Sequence, residues 1–80
     1  MIKRNKKEWL IVTFHTTAAA FQMESMAKDM GFEGRIIPVP REISAGCGLA
    51  WRDEKDKQDE IKKCLENQNI EYEKLILLTI

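Results

Sequence analysis

Cysteine is scarce in this chain, and neither occurrence fits a disulfide or zinc pattern. Only Cys47 and Cys64 occur, with no CxxC, which argues against a disulfide-stapled secreted scaffold and against a zinc site. No metal and no cofactor are expected. Long hydrophobic runs are missing too: no stretch approaches the ~20 apolar residues that span a bilayer. Met1 to Lys7 has the positive charge of a signal peptide's start, but the apolar run behind it, Trp9 to Val12, is far too short for a signal's hydrophobic region. These absences set the expectation of a cytoplasmic protein with no membrane partner. Net charge is also lacking. Thirteen Lys and Arg residues balance thirteen Asp and Glu residues, so no global field recruits nucleic acid or acidic lipid. The phosphate-binding patterns GxGxxG and GxxxxGK[ST] are absent, which excludes the common nucleotide cradles.

What is present suffices for one small domain. Eighty residues with 44% hydrophobic content supply a single core of marginal size. Residues 1–7, rich in Lys and Arg, read as a basic flexible tail, and residues 8–80 as the domain. Glu8 to Phe14 has the nearly unbroken apolar run of a strand buried on both faces. Thr16 and Thr17 then offer hydroxyl caps to a helix whose stripe is Ala19, Ala20, Met23, Met26, Ala27 and Met30, ended by Gly31. Gly34 to Pro38 reads as an edge strand, because Pro38 cannot donate to a ladder. Cys47 to Arg52 looks extended again, with Leu49 and Trp51 on one face and Ala50 and Arg52 on the other. Asp53 is the expected N-cap of a second helix, which stops at Asn67 to Asn69, and Ile70 to Ile80 supplies a fourth strand.

This order predicts an α+β fold of the ferredoxin-like βαββαβ type, with a four-stranded antiparallel-type sheet and two helices on one face. Such a topology brings His15, Thr16, Thr17 and Cys47 to one end of the molecule, with Cys64 within about one helical turn of it. It leaves the other sheet face without helices, where Trp51 or Leu49 would invite a homodimer. RNA-recognition domains share the topology but display aromatics on the sheet as stacking platforms. With Trp51 the sole candidate, no nucleic-acid partner is expected.

Gly46-Cys47-Gly48 is the least ordinary tripeptide. A structural cysteine packs as a small hydrophobe and needs no glycine neighbours. Glycines cost backbone entropy, so their presence implies unusual dihedrals or close approach by another molecule. They also uncover the thiol and leave backbone N–H groups to face an anion. Arg41, Arg35 and the positive end of the first helix would add to a field that favours thiolate. The alternative is a cysteine that begins a strand and packs inward. His15, the only histidine, would stand at the correct end to act as a base for Cys47; a simple capping role for this segment is the commoner outcome. No third orienting residue supports a hydrolase triad. Cys64 follows the second helix's apolar stripe and reads as core, with a resolving thiol as the rival role.

The segments Trp9 to Thr17 and Gly34 to Ala50 together resemble the Se/S carrier protein-like family, short bacterial proteins with a stereotyped PVPRxISxGCG segment. The likeness covers roughly Glu8 to Ile80, and Pro38, Pro40, Arg41, Ser44, Gly46, Cys47 and Gly48 all stand where that pattern wants them. The resemblance implies a carrier of sulfur or selenium, not an enzyme in the strict sense, with Cys47 as acceptor. Its partners would be a donor such as a cysteine desulfurase and an acceptor protein. On this reading Arg41, Ser44 and the amides around Gly46 and Gly48 stabilise the cargo, and His15 and Thr16 are auxiliary. The competing expectation is an anion-binding or protein-interaction module that uses the same loop without thiol chemistry.

Overall fold

The computed structural model describes residues 6–43 and 46–80. Residues 1–5 of the expected tail, and Ser44 with its expected cargo role, lie outside the described residues. Strand β1 (Glu8–Thr13) is followed by helix α1 (Thr17–Met30), strands β2 (Arg35–Pro38) and β3 (Leu49–Glu54), helix α2 (Gln58–Asn67) and strand β4 (Lys74–Thr79). The sheet order is β2-β3-β1-β4, and every neighbouring pair is antiparallel. β3 therefore sits between β1 and β2, the insertion that a split βαβ arrangement requires. The α+β expectation, four antiparallel strands and two helices, holds.

The unbroken apolar run of β1 has its cause in this order. Leu10, Ile11, Val12 and Thr13 are all 0% exposed, because β1 is flanked by strands on both edges and covered on both faces. On one face, Leu10, Val12 and Trp51 pack with Ala20, Met23 and Ala27 of α1 and with Ile61 and Leu65 of α2. On the other, Ile11 and Ala50 are capped by Ile43 from the β2–β3 connection, with Trp9, Ile37, Ile76 and Leu78 half-buried around them. Both helices thus share one face. Trp51 and Leu49 belong to that helix-covered side, which corrects the expectation that they face the open one. Trp9 stands there instead, with Lys7 Nζ and the Arg52 guanidinium each 4.3 Å from its ring centroid.

Caps fix α1. The Thr16 hydroxyl accepts from Ala19 N–H at 3.1 Å, and Gly31 takes φ +79° at the C-terminus, the left-handed turn that favours glycine. Met30, assigned to the apolar stripe, is half exposed at the last turn.

The start of α2 departs from expectation. Asp53 lies within β3, and a single 3-10 turn, Lys55–Lys57, precedes α2, whose N-cap position is Lys57. The carboxylate of Asp53 is buried and serves another purpose: it accepts from Trp51 Nε1 at 3.1 Å and from Glu54 N–H at 2.7 Å. A buried indole N–H needs an acceptor, and that demand outweighs the capping preference of Asp. At the same end, Lys7 and Ile80 exchange both backbone hydrogen bonds, and Lys7 Nζ contacts Glu54 Oε1 at 2.7 Å.

Candidate functional site at the Cys47 loop

β1 delivers the chain to one end of the sheet, where Phe14 is fully buried and His15 and Thr16 are exposed. The β2–β3 connection returns to that same end. Val39 N–H donates to Gly48 O at 2.9 Å and closes the neck of the loop, while Ile43 N–H donates to Pro40 O at 3.0 Å and makes a turn within it. Cys47 N–H donates to Phe14 O at 3.2 Å, which ties the cysteine's backbone to the residue just beyond β1. The predicted gathering of His15, Thr16 and Cys47 at one end is what the structure contains.

The two glycines serve different ends. Gly48 has φ +82° with open space where a side chain would stand, so its requirement is conformational. Gly46 has no such dihedral. A Cβ there would come 3.4 Å from both His15 Cα and Phe14 O, the limit of ordinary van der Waals contact, so what distinguishes Gly46 is its close packing on the end of β1.

The thiol lies half-buried between them. Cys47 packs against the helix-side core, and its Sγ is 3.6 Å from Leu49 O, the long distance typical of a weak S–H donor. Cys64 is also free and half-buried against the same core. No hydrogen bond joins His15 to Cys47 among the described residues.

The charges expected around the thiol are arranged differently. Arg35 opens β2 opposite Arg52, at the end of the sheet remote from Cys47, because β2 runs toward the loop and not away from it. Arg41 is exposed at the tip of the 40–43 turn and makes no hydrogen bond or ion pair among the described residues. The amides of Gly46 and Cys47, expected to be open to an anion, are both engaged. Gly46 N–H donates to the Glu73 carboxylate, Oε1, at 3.1 Å.

Glu73 is the site residue that sequence reasoning missed. Its segment, Glu71-Tyr72-Glu73-Lys74, reads only as the polar start of a strand, and nothing in its spacing points 27 residues back to Gly46. The structure places it there through β1: Glu73 N–H donates to Thr13 O at 2.7 Å and Lys74 N–H to Thr13 Oγ1 at 3.1 Å. The arrangement is thus a thiol at the sheet's end, hung from β1 and braced from β4. Among the described residues, no group of three His, Cys, Asp or Glu side chains is placed to hold a metal ion, and no helix is long and apolar enough to cross a membrane.

No curated protein and no solved structure matches the chain. A family model does match, over residues 9–77, a span that takes in the whole Cys47 loop and the two strands that flank it, β2 and β3. The chain therefore belongs to the family described as "Putative Se/S carrier protein-like".

Proposed function

We propose that the protein carries sulfur or selenium on Cys47 and passes it between partner proteins. The observation that carries this reading is the position of Cys47, on a loop whose two glycines leave the thiol without flanking side chains at an exposed end of the sheet. Membership of a family whose name describes Se/S carriage supports it.

In the proposed cycle the Cys47 thiolate attacks the outer sulfur of a donor persulfide, R–S–SH. The new bond is Cys47 Sγ–S, the bond that breaks is the donor's S–S, and the donor leaves as its thiolate R–S⁻. Cys47 then bears a persulfide. An acceptor nucleophile attacks that same outer sulfur, and the Cys47 thiolate departs unchanged. The oxidised S–S linkage is exchanged and not created, so no external oxidant or reductant enters. The selenium version places selenium at the outer position. A cysteine desulfurase is a donor of the right chemistry. Each turnover loads and unloads one carrier, which makes the protein a shuttle and not an enzyme in the strict sense.

Arg41 keeps a role only if the turn that bears it closes on a bound anion. The amides of Gly46 and Cys47 are taken, so a persulfide anion would have to displace the Glu73 carboxylate to use the former.

Intact-mass measurement after incubation with a cysteine desulfurase and cysteine tests the reading. One added sulfur mass, lost on reduction and absent in Cys47→Ser, is the expected result. No added mass from either that enzyme or a small-molecule persulfide, with Cys47 alkylating no faster than Cys64, would sink it. The half-burial of the thiol and its contact with Leu49 O are what a purely structural cysteine would also have. In that second reading the loop is a binding module, and Cys47→Ser retains every interaction of the wild type.

A further inference from the structure

β4 has the sequence of an interior strand and the position of an edge. β1 (EWLIVT) and β4 (KLILLT) each carry one charge in six residues, at the first position. β1 lies between two neighbours and its last four residues are buried, whereas β4 ends the sheet and none of its six is buried. Apolar side chains occupy both of its faces: Leu75 and Leu77 on the helix side, Ile76 and Leu78 on the other. Leu77 is 40% exposed.

The backbone of β4 is equally unfinished. Lys7 and Ile80 exchange both hydrogen bonds, at 3.1 and 3.0 Å. Such pairs recur at every second residue of an antiparallel ladder, so Ile76 and Leu78 point their backbone groups at β1. Leu75, Leu77 and Thr79 point theirs outward. Among the described residues nothing bonds to that outer edge. The opposite edge of the sheet is blunted, since β2 has four residues and ends in Pro38, which offers no N–H. β4 between Leu75 and Thr79 has no proline, no charge and no Gly, none of the devices that keep an edge solitary.

We propose that a second copy of this chain covers the edge, by antiparallel pairing of β4 with its twin about a two-fold axis near Leu77, to give one eight-stranded sheet. The occupant follows from the strand itself. An isologous contact requires a self-complementary patch, and the outward trio Leu75, Leu77 and Thr79 meets the same trio in reverse. The apolar rows on both faces then continue across the junction. The antiparallel sense also separates the only charges, because a Leu77-centred register sets the two Lys74 ammoniums six residues, or about 20 Å, apart along the strands. β4 starts at the Cys47 end, so the two Cys47 loops fall at opposite ends of the dimer and both stay open. The inference stands apart from sulfur carriage.

Sedimentation velocity across a concentration series tests it. Wild type is expected to move toward twice the monomer mass as concentration rises. Leu77→Pro removes one outward N–H and no bond of the β1–β4 ladder, so it is expected to stay at the monomer mass with the wild-type circular dichroism spectrum. Leu77→Lys, which puts a charge on the same exposed side chain, is expected to do the same and decides the matter if the proline variant does not fold. Sulfur loading of either variant should equal that of wild type, whatever its level. A wild type that is monomeric throughout overturns the proposal. So does a dimer that both variants leave intact, which would put the contact on the helix-free face around Trp9.

Discussion

At the scale of single residues, the Cys47 loop shows how two identical amino acids answer different demands. Gly48 sits in the left-handed region with nothing near its missing side chain, so Gly48→Ala meets only the intrinsic cost of that conformation, about 1–2 kcal/mol. Urea unfolding should register that loss, and Gly48→Asn should recover part of it, since Asn tolerates the left-handed region better. Asp53 makes a sterner case. It is 3% exposed and supplies acceptors to Trp51 Nε1 and Glu54 N–H. Asp53→Ala strands a buried indole donor, and the expected destabilisation is about 1–3 kcal/mol, measurable as a lower thermal midpoint. Were Asp53 the helix cap that its place in the sequence suggests, the indole environment of Trp51 would be indifferent to the change; a shift in its fluorescence tells the two roles apart.

At the scale of elements, periodicity and capping residues carried most of the information. The run Trp9 to Val12 announced a central strand because both of its faces and both of its edges are covered. Thr16 and Gly31 announced the limits of α1 because capping is a local affair of three or four residues. Pro38 announced an edge strand. Less was legible where a long-range partner decides. Asp53 looked like a cap until Trp51 claimed its carboxylate. Glu73 read only as part of the polar start of a strand until the antiparallel pairing of β4 with β1 carried it to Gly46. Which face Trp9 and Trp51 take was in principle readable from their alternation about Ile11 and Ala50. What alternation does not reveal is which of the two faces the helices choose. The same limit applies to Arg35, whose distance from Cys47 depends on the direction of β2 and not on its place in the chain.

At the scale of the whole molecule, the two faces of the sheet divide the labour. One bears both helices and most of the core; on the other, among the described residues, Ile43 from the β2–β3 connection packs over Ile11 and Ala50. The site sits where these two halves meet at a common end. Loops of this kind ordinarily open on their own, at a free energy well below that of the global transition. This one hangs from Phe14 O, at the end of the most deeply buried strand. Amide hydrogen exchange should therefore find the Cys47 N–H protected to nearly the same degree as the amides of β1, and far more than those of Arg41 and Glu42 in the same connection. Equal and low protection across 41–48 would show that the Phe14 hydrogen bond does not hold the loop. If the protection is found, the thiol keeps the time of the core. On the proposed carrier reading, a partner arriving at that end would then meet a thiol already held in place, and the pause before transfer would be set by the partner's approach, not by the loop's search for its own shape.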